Sequence, residues 1–243
     1  MLKFFRTIRH RLLDSGSLRK YLVYAIGEIF LVMVGILLAL QVNNWNKDRL
    51  DRQRENQFLN QIHKEFEINK VQLQQITAYN QETADYCNKL IDLMPIDLTM
   101  VNLDSLGLYI GKSGLWWTFE PSEGSIDALI NTSSFEVISD EELKILLVKW
   151  KGIVGDYMNT EKIMMEHLNQ IYNPFRDKNF PRNQNHERGY NLKDPRMDLS
   201  FLTTFEFENQ IKRRKTMLDN TLVEGNRQTV QQTIEDILNR TKQ

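Results

Sequence analysis

The stretch Tyr21–Val42, YLVYAIGEIFLVMVGILLALQV, decides how this chain is organised. Its 22 residues include only two strongly polar side chains, Glu28 and Gln41. A helix of that length covers about 33 Å, which matches a bilayer hydrocarbon core of about 30 Å. A cleaved signal peptide is the main alternative, but its apolar region is about 7–15 residues long and ends in a small-x-small site, which LALQVNNW does not provide. We therefore predict an uncleaved transmembrane helix over residues 21–42.

Charge on the two sides of this helix predicts its orientation. Residues 1–20 hold six basic side chains and one acidic one, whereas Lys47, Arg49, Arg52 and Arg54 on the far side are mixed with acids. The positive-inside rule then predicts that the helix spans the inner membrane, with the N-terminus in the cytoplasm and the C-terminal domain in the periplasm. Apolar residues among the arginines of segment 1–20 indicate either an amphipathic surface helix or a basic flank that only sets topology. Trp45 is expected to be an interfacial anchor.

One face of the predicted span carries an unusual pattern. A carboxyl group such as that of Glu28 is costly inside a membrane and often marks a function or a helix partner. The spacing 3-4-3-4 places it on one face with small and β-branched residues, among which Gly35 and Ala39 form a small-xxx-small pair. We predict a helix-pairing face, for self-association or for another membrane protein, made of Ala25, Glu28, Val32, Gly35 and Ala39. The alternative is a protonated Glu28 near the interface with no partner.

The sequence after the span predicts helices throughout. From Leu59 to Met94 apolar residues keep a heptad seam, and three of its positions are polar: Asn69, Asn80 and Thr83. The seam is consistent with a parallel coiled coil between chains or with a bundle within one chain. The expected fold class is all-α, in which the transmembrane helix continues into a long helix that packs in an extramembrane helical bundle. The predicted extracytoplasmic domain, residues 43–243, consists of a long helix 43–94, short helices 102–131, a helix 140–173, a loop 174–198 and a C-terminal helix 199–240.

Local signals mark several helix ends. A capping box is indicated by the residues Ser139-Asp140-Glu141-Glu142, in which Ser139 is expected to cap the helix that follows. Ser122 is expected to cap the short helix that precedes Ser139. Leu143, Leu147, Trp150, Val154, Tyr157, Met164, Leu168 and Ile171 form one stripe after that box, and Glu161 is its only break. The loop 174–198 is basic, which is consistent with an anionic partner or with a solvated crossover between helices.

Catalytic, metal and cofactor motifs are absent from the sequence. The chain has 243 residues, of which 26% are charged, and its net charge of −1 indicates no basic surface for nucleic acid. Its one cysteine, Cys87, excludes an intramolecular disulfide. The four histidines lack metal-ligand spacing, and no phosphate-binding loop or nucleophile elbow occurs. Cys87 lies on the seam and is expected to pack as an apolar residue. We predict no catalytic, cofactor or metal site, no nucleic-acid partner and no identified small-molecule ligand.

The opening LKFFRTIRHRLLDSG and the span KYLVYAIGEIFLVMVGILLALQVNNWN resemble an uncharacterised family of single-pass membrane proteins from Bacteroidota, of the domain of unknown function 6090 type. The middle stretch FEPSEGSIDALINTSSFEVISDEELKILLVKW is also similar to that family's pattern. The resemblance implies a membrane-anchored, mostly helical protein and brings no activity. It implies motif positions at Gly27, Glu28, Gly35, Gln41, Asn43, Asn44, Trp45 and Asn46.

Two functions are therefore expected. The first is a non-enzymatic membrane-anchored scaffold or assembly protein of the cell envelope, which works as a homo-oligomer or with another membrane protein. The alternative is an extracytoplasmic ligand- or stress-sensing module that signals through a partner, because the short N-terminal segment holds no output domain. A buried polar pocket near Asn80 and Thr83 would favour sensing, and a dry seam would favour the scaffold.

Overall fold

A computed structural model describes residues 18–131, 133–181, 189–222 and 226–242. The first helix, α1, runs over Leu18–Asp92 and has 75 residues. Among the described residues it is the one helix long and apolar enough to cross a membrane, and its most apolar window is not buried by the protein. Residues 1–17 of the basic segment, where we predicted an amphipathic helix, lie outside the described residues.

The elements described after α1 are all helical and shorter than α1. They are α2 (Leu103–Ser113), α3 (Gly124–Ile130), a 3₁₀ turn (Ser133–Val137), α4 (Glu141–His167), a π-helical segment (Leu168–Tyr172), α5 (Asn173–Asn179), a second 3₁₀ turn (Ser200–Thr203), α6 (Phe205–Leu222) and α7 (Asn226–Thr241). No strand occurs in the described ranges. The predicted all-α class, with a long apolar N-terminal helix followed by a helical bundle, is confirmed.

The chain divides into two compact units between Asn56 and Gln57. The second unit, which holds the bundle, has two hydrophobic cores. The first core joins α1 to the N-terminal half of α4 and to α7, with Phe66 and Trp150 in edge-to-face contact at 4.8 Å between ring centroids. The second core joins α1 to α2 and α6 around Cys87, Leu106 and Ile211. Burial of such side chains supplies about 25 cal/mol per Å² of apolar surface, so these two cores stabilise the bundle.

The heptad seam pairs within the chain. All nine seam positions between Ile62 and Leu90 are buried, including the polar Asn69, Asn80 and Thr83. Their apolar neighbours in both cores come from α2, α4, α6 and α7 of the same chain. Over this range the seam therefore belongs to an intramolecular bundle.

Two helix boundaries differ from the prediction. Pro174 does not stop the preceding helix, because it lies in the first turn of α5, where its missing N–H is not needed. The predicted loop 174–198 therefore contains most of α5. The predicted C-terminal helix 199–240 consists of a 3₁₀ turn, α6 and α7, and the residues between α6 and α7, with Gly225 among them, lie outside the described residues.

Two predicted caps are also corrected. Asp140 rather than Ser139 caps α4, because its carboxylate accepts from the backbone N–H groups of Glu142 and Leu143 at 2.9 and 3.0 Å. Ser122 does not cap α3, whose N-cap position, Glu123, makes no side-chain capping bond. Glu65 of α1 accepts from the N–H of Ser125 at 2.8 Å instead. A side chain distant in sequence thus satisfies the helix end that a local cap was expected to satisfy.

A close backbone approach positions α2. The carbonyl oxygen of Tyr190 occupies the space that a Cβ on Gly107 would need. The carbonyl of Gly107 in turn accepts a hydrogen bond from the Tyr190 N–H at 3.0 Å. Gly189 has a φ of +83°, a conformation that glycine adopts without strain. These two glycines allow the segment after α5 to lie directly against α2, which places the end of α2 beside α6.

Candidate functional site: a clamped connector and a buried arginine cluster

The predicted helix-pairing face lies along α1 as its spacing implies. Val32 is 58% exposed, and no atom lies within 4 Å of the position that a Cβ on Gly35 would take. Ala39 is exposed, whereas Ala25 and Glu28 are half-buried. Trp45, the predicted interfacial anchor, is 66% exposed. The Gly35 end of the face is thus accessible to a second helix, and pairing there stays a prediction.

The polar seam residue Asn69 binds the backbone of the chain. Its side-chain amide donates to the carbonyl of Ser122 at 2.9 Å and accepts from the Ser122 N–H at 2.8 Å. One side chain therefore satisfies both backbone groups of a residue that no helix or sheet supports. Asn69 is fully buried whereas Ser122 is exposed, so the two bonds satisfy the buried amide and fix the position of Ser122 against α1.

Asn80 repeats the arrangement three helical turns later. It donates to the carbonyl of Trp117 at 2.9 Å and accepts from the Trp117 N–H at 3.2 Å. Trp117 also lies against Tyr79, with ring centroids 5.0 Å apart. We call residues 117–122, which Asn69 and Asn80 hold at both ends, the clamped connector. The third polar position, Thr83, donates to the carbonyl of Tyr79 in its own helix at 3.1 Å. Asn80 and Thr83, where we expected a polar pocket if the domain were a sensor, therefore bind the chain itself.

Glu161 of α4 binds the middle of the clamped connector. Its two carboxylate oxygens lie 3.1 and 3.3 Å from the donating N–H of Phe119. Burial raises the pKa of Glu161 to about 7, while the bonds from Phe119 and Tyr157 oppose that rise and Glu120 adds to it. The break that we noted in the apolar stripe of α4 is therefore a buried carboxyl group that titrates near neutral pH.

The second core contains a cluster of buried cationic side chains around the end of α2. Its centre is Arg214 of α6, which is fully buried. Arg214 donates from Nε to the carbonyl of Ser113 at 3.2 Å and from Nη2 to that of Leu115 at 2.6 Å. Those carbonyls lie at the C-terminal end of α2, where the helix dipole is negative and a cation is stabilised. The remaining nitrogen, Nη1, is buried without a hydrogen-bond partner.

No carboxylate forms an ion pair with Arg214 in the described part of the chain. Burial lowers the pKa of Arg214, and the charge of the second arginine, Arg176, lowers it further. Cys87 and Tyr172 have the opposite effect on the pKa of Arg214. The indole of Trp116 lies 5.7 Å from the guanidinium carbon and contributes a cation–π contact. The charge of Arg214 is thus balanced by carbonyl dipoles and an aromatic ring rather than by an acid.

Arg176 enters the same cluster from α5. It is buried, and one of its terminal nitrogens occupies the space that a Cβ on Gly114 would need. Its guanidinium lies 5.7 Å from the ring of Tyr172. The hydroxyl of Tyr172 bonds to Ser113 Oγ at 3.0 Å. The predicted basic loop 174–198 included Arg176, and the structure corrects this, because Arg176 lies in α5 and is buried.

His167 lies at the edge of the cluster, just before the π-helical segment. Both ring nitrogens are buried without hydrogen-bond partners. Burial lowers the pKa of His167, and the positive charges of Arg213 and Arg214 lower it further. Burial also raises the pKa of Cys87 to about 12, which leaves its thiol protonated and confirms that it packs as an apolar side chain.

No group of three or more potential metal ligands occurs in the described residues. Sequence reasoning missed Arg214 although a signal was present. Arg214 lies three residues after Ile211 and four before Leu218, on the apolar stripe of α6. A charged residue at such a position is buried with the stripe.

Residues 28–152, just over half of the chain, match the model of the Family of unknown function (DUF6090). The chain belongs to this family. The DUF6090 match begins at Glu28 in α1 and includes Asn69, Asn80 and the whole clamped connector. It ends in α4 before Glu161 and before the arginines of the cluster. Neither a curated protein nor a solved structure matches the chain.

Proposed function

We propose that this protein is a membrane-anchored helical scaffold or assembly protein of the cell envelope, without catalytic activity. The observation that carries the proposal is the use of Asn69, Asn80 and Glu161. These three buried polar side chains bind backbone groups of the clamped connector. A connector held in this way is fixed against α1 and α4, and fixed elements are suited to presenting a surface to partners.

The proposed location is the inner membrane, with residues 1–20 in the cytoplasm and the C-terminal domain in the periplasm. The support is the excess of basic residues before the span, six against four near its other end. A C-terminal fusion to a phosphatase that folds only outside the cytoplasm should be active, and a matched fusion to a cytoplasm-dependent reporter should be inactive. The reverse pattern would overturn the orientation.

Assembly through the span is the central test of the scaffold. We expect affinity purification of the full chain from native membranes to recover a stoichiometric partner or a second copy. Replacement of Gly35 by leucine should weaken that recovery at least tenfold, because the side chain would block close approach of a second helix. Gly27→Leu is the matched control, since Gly27 also has open space and lies about 80–160° around the helix from the predicted face. Equal recovery for both variants and the wild type would count against pairing through this face.

A second candidate function is a ligand-sensing module that signals through a partner. The observation that favours it is Arg214, whose buried Nη1 has no partner and whose charge no carboxylate balances in the described residues. A small oxyanion is the chemistry that such a group binds. In this case phosphate or sulfate should raise the Tm of the full chain more than chloride does at equal ionic strength. The rise should be lost in Arg214→Met and kept in Arg213→Met, which removes a neighbouring exposed charge. Equal shifts in all three proteins would exclude the site.

A further inference from the structure

The two hydrophobic cores of the bundle meet at buried polar side chains on α1. The first core ends at Ile76 on this helix, and the second core begins at Ala84. Between them lie Asn80 and Thr83, which are both buried. A helix with a single core would continue its apolar stripe through these positions. The seam is therefore interrupted where one core gives way to the other.

Helix α4 has a similar interruption. Tyr157 belongs to the first core and Met164 to the second. Glu161 lies between them, about one helical turn from each, and only 3% of its surface is exposed. A carboxyl group in such a place is costly unless it is hydrogen-bonded or protonated. The stripe of α4 thus passes from one core to the other through a buried carboxyl group.

Hydrogen bonds join the two interruptions through the clamped connector. Asn80 binds both backbone groups of Trp117, and the oxygens of Glu161 accept from the N–H of Phe119 two residues later. We call Asn80, Glu161 and the backbone of residues 117–119 the polar layer. Amide side chains and peptide groups do not titrate near neutral pH, so Glu161 is the member of the polar layer whose charge depends on pH.

We propose that the polar layer is a latch that holds the middle of the clamped connector on α4 while Glu161 is protonated and releases it when Glu161 is ionised. Asn69 and Asn80 hold the ends of the connector at any pH, so the release is confined to the middle. It exposes Phe119, which is buried with its ring 6.0 Å from that of Tyr157. The inference rests on the proposed function, in which the connector is a fixed element, and names how that element is regulated.

The surroundings of Glu161 favour its neutral form. Burial disfavours the carboxylate, and the carboxyl group of Glu120 on the connector raises the pKa of Glu161 further. The bonds from Phe119 and Tyr157 lower it, and the resulting pKa is about 7, against 4.5 for the ordinary group. These two pKa values differ by 2.5. As the pH rises from below 4.5 to above 7, the ratio of released to held connector therefore rises by up to about 300-fold.

No counter-ion in the described part of the chain compensates an ionised Glu161. Its carboxyl group forms no ion pair there, and no cation from a neighbouring helix shifts its pKa. On α1 the buried polar side chains at this boundary, Asn80 and Thr83, are uncharged. Arg214 of α6 binds carbonyl groups at the end of α2 instead. Ionisation thus leaves an unpaired charge in the interior, and release of the connector lets water reach it.

Hydrogen exchange of the full chain in lipid nanodiscs tests the latch. After correction for the intrinsic exchange rate, the protection of a peptide that contains residues 117–122 should fall at least tenfold between pH 5 and pH 8. The fall should be lost in Glu161→Gln, which keeps an acceptor for Phe119 and does not ionise. Glu166→Gln is the matched control, since Glu166 is exposed on the same helix, and it should keep the fall. An equal fall in wild type and Glu161→Gln would overturn the latch.

Low concentrations of urea separate local release from unfolding of the whole domain. Release of a few residues exposes little surface, so exchange of residues 117–122 in the wild type at pH 8 should be insensitive to urea. Exchange in α7, which contributes to the first core, should rise steeply with urea. The same urea dependence in both segments would mean that the connector opens only when the domain unfolds, and would overturn the latch without any variant.

Two results distinguish the latch from the scaffold. If exchange of the connector shows no pH dependence while purification through the span still recovers a partner, the scaffold stands and the latch fails. If the connector opens as expected and purification recovers no partner at pH 5 or at pH 8, the scaffold fails and the latch stands.

Discussion

Asn69 and Asn80 hold the two ends of a single extended segment, each through a donated and an accepted hydrogen bond to one backbone residue. Asn69 binds Ser122, and Asn80 binds Trp117. The two asparagines are eleven residues apart on α1, and their partners are five residues apart on the connector. An extended chain rises about 3.3 Å per residue and a helix 1.5 Å, so the two spacings agree at about 16 Å. The connector thus lies extended along α1.

The clamped connector should behave as a cooperative unit. Asn80→Ala should lower the free energy of unfolding by about 2–3 kcal/mol, because it leaves the N–H and the carbonyl of the half-buried Trp117 without partners. Asn69→Ala should lower it by about 1 kcal/mol, because water can reach the exposed Ser122. Once one end of the connector is released, the bonds at the other end stabilise the fold less. The double variant should therefore lose at least 0.5 kcal/mol less free energy of unfolding than the two single variants lose together. Urea unfolding followed by tryptophan fluorescence measures the cycle. Strict additivity would mean that the two ends are independent.

Glu161 should make the domain less stable as the pH rises through neutrality. Its pKa is about 7 in the folded protein, against 4.5 for the ordinary group, because burial disfavours the charged form. Its contribution is therefore fully present below pH 4.5 and is lost as the pH rises through 7, by up to about 3 kcal/mol. Glu161→Gln removes the titration while it keeps an acceptor for Phe119, so it should flatten the pH dependence. An unchanged slope between pH 5 and 8 would contradict this.

His167 should act in the opposite direction. Its pKa lies below the usual 6.5 because it is buried and lies near Arg213 and Arg214. The folded state therefore binds a proton less readily than the unfolded state, and stability is lost as the pH falls from 6.5 through the folded pKa. His167→Leu should gain stability relative to the wild type at pH 5 and show a smaller difference at pH 8. Parallel unfolding curves for the two proteins at both pH values would refute the effect.

Glycines should separate into two classes on replacement by alanine. Gly107→Ala should lower the free energy of unfolding by about 1–3 kcal/mol, since its Cβ would meet the carbonyl of Tyr190. Gly152→Ala should raise it by about 0.5–1 kcal/mol in dilute, detergent-solubilised protein, because nothing lies near that Cβ. Destabilisation of the dilute protein by Gly152→Ala would contradict the open space at this position.

The seam of α1 could be predicted because its period depends only on the sequence near each residue. The heptad positions from Ile62 to Leu90 are all buried as expected. The partners of Asn69 and Asn80 could not be predicted, because they are backbone groups 53 and 37 residues away. Sequence patterns report that a polar residue faces the interior and give no information on which backbone segment satisfies it.

The arginine cluster was harder to predict for a different reason. Ile171 was assigned to the buried stripe of α4, yet it is 39% exposed, and its neighbour Tyr172 is buried. The predicted stripe advanced by alternating steps of four and three residues, a period of 3.5, whereas an α-helix turns once in about 3.6 residues. Over the 29 positions that separate Leu143 from Tyr172, this difference moves the buried face from Ile171 to Tyr172. Arg176 was missed because Pro174 was taken as the end of the helix, whereas the helix continues through it.

The π-helical segment Leu168–Tyr172 also makes the length of the chain critical at this point. A π-helical turn holds one residue more than the α-helical turn that it replaces, so the loss of one residue there would restore a regular α-helix and keep α5 in its present orientation. The gain of one residue would instead rotate everything after it by about 100° and turn Arg176 out of the interior. A single-codon insertion in this segment is therefore a larger change to the domain than most substitutions in either core, whereas a single-codon deletion is expected to be tolerated.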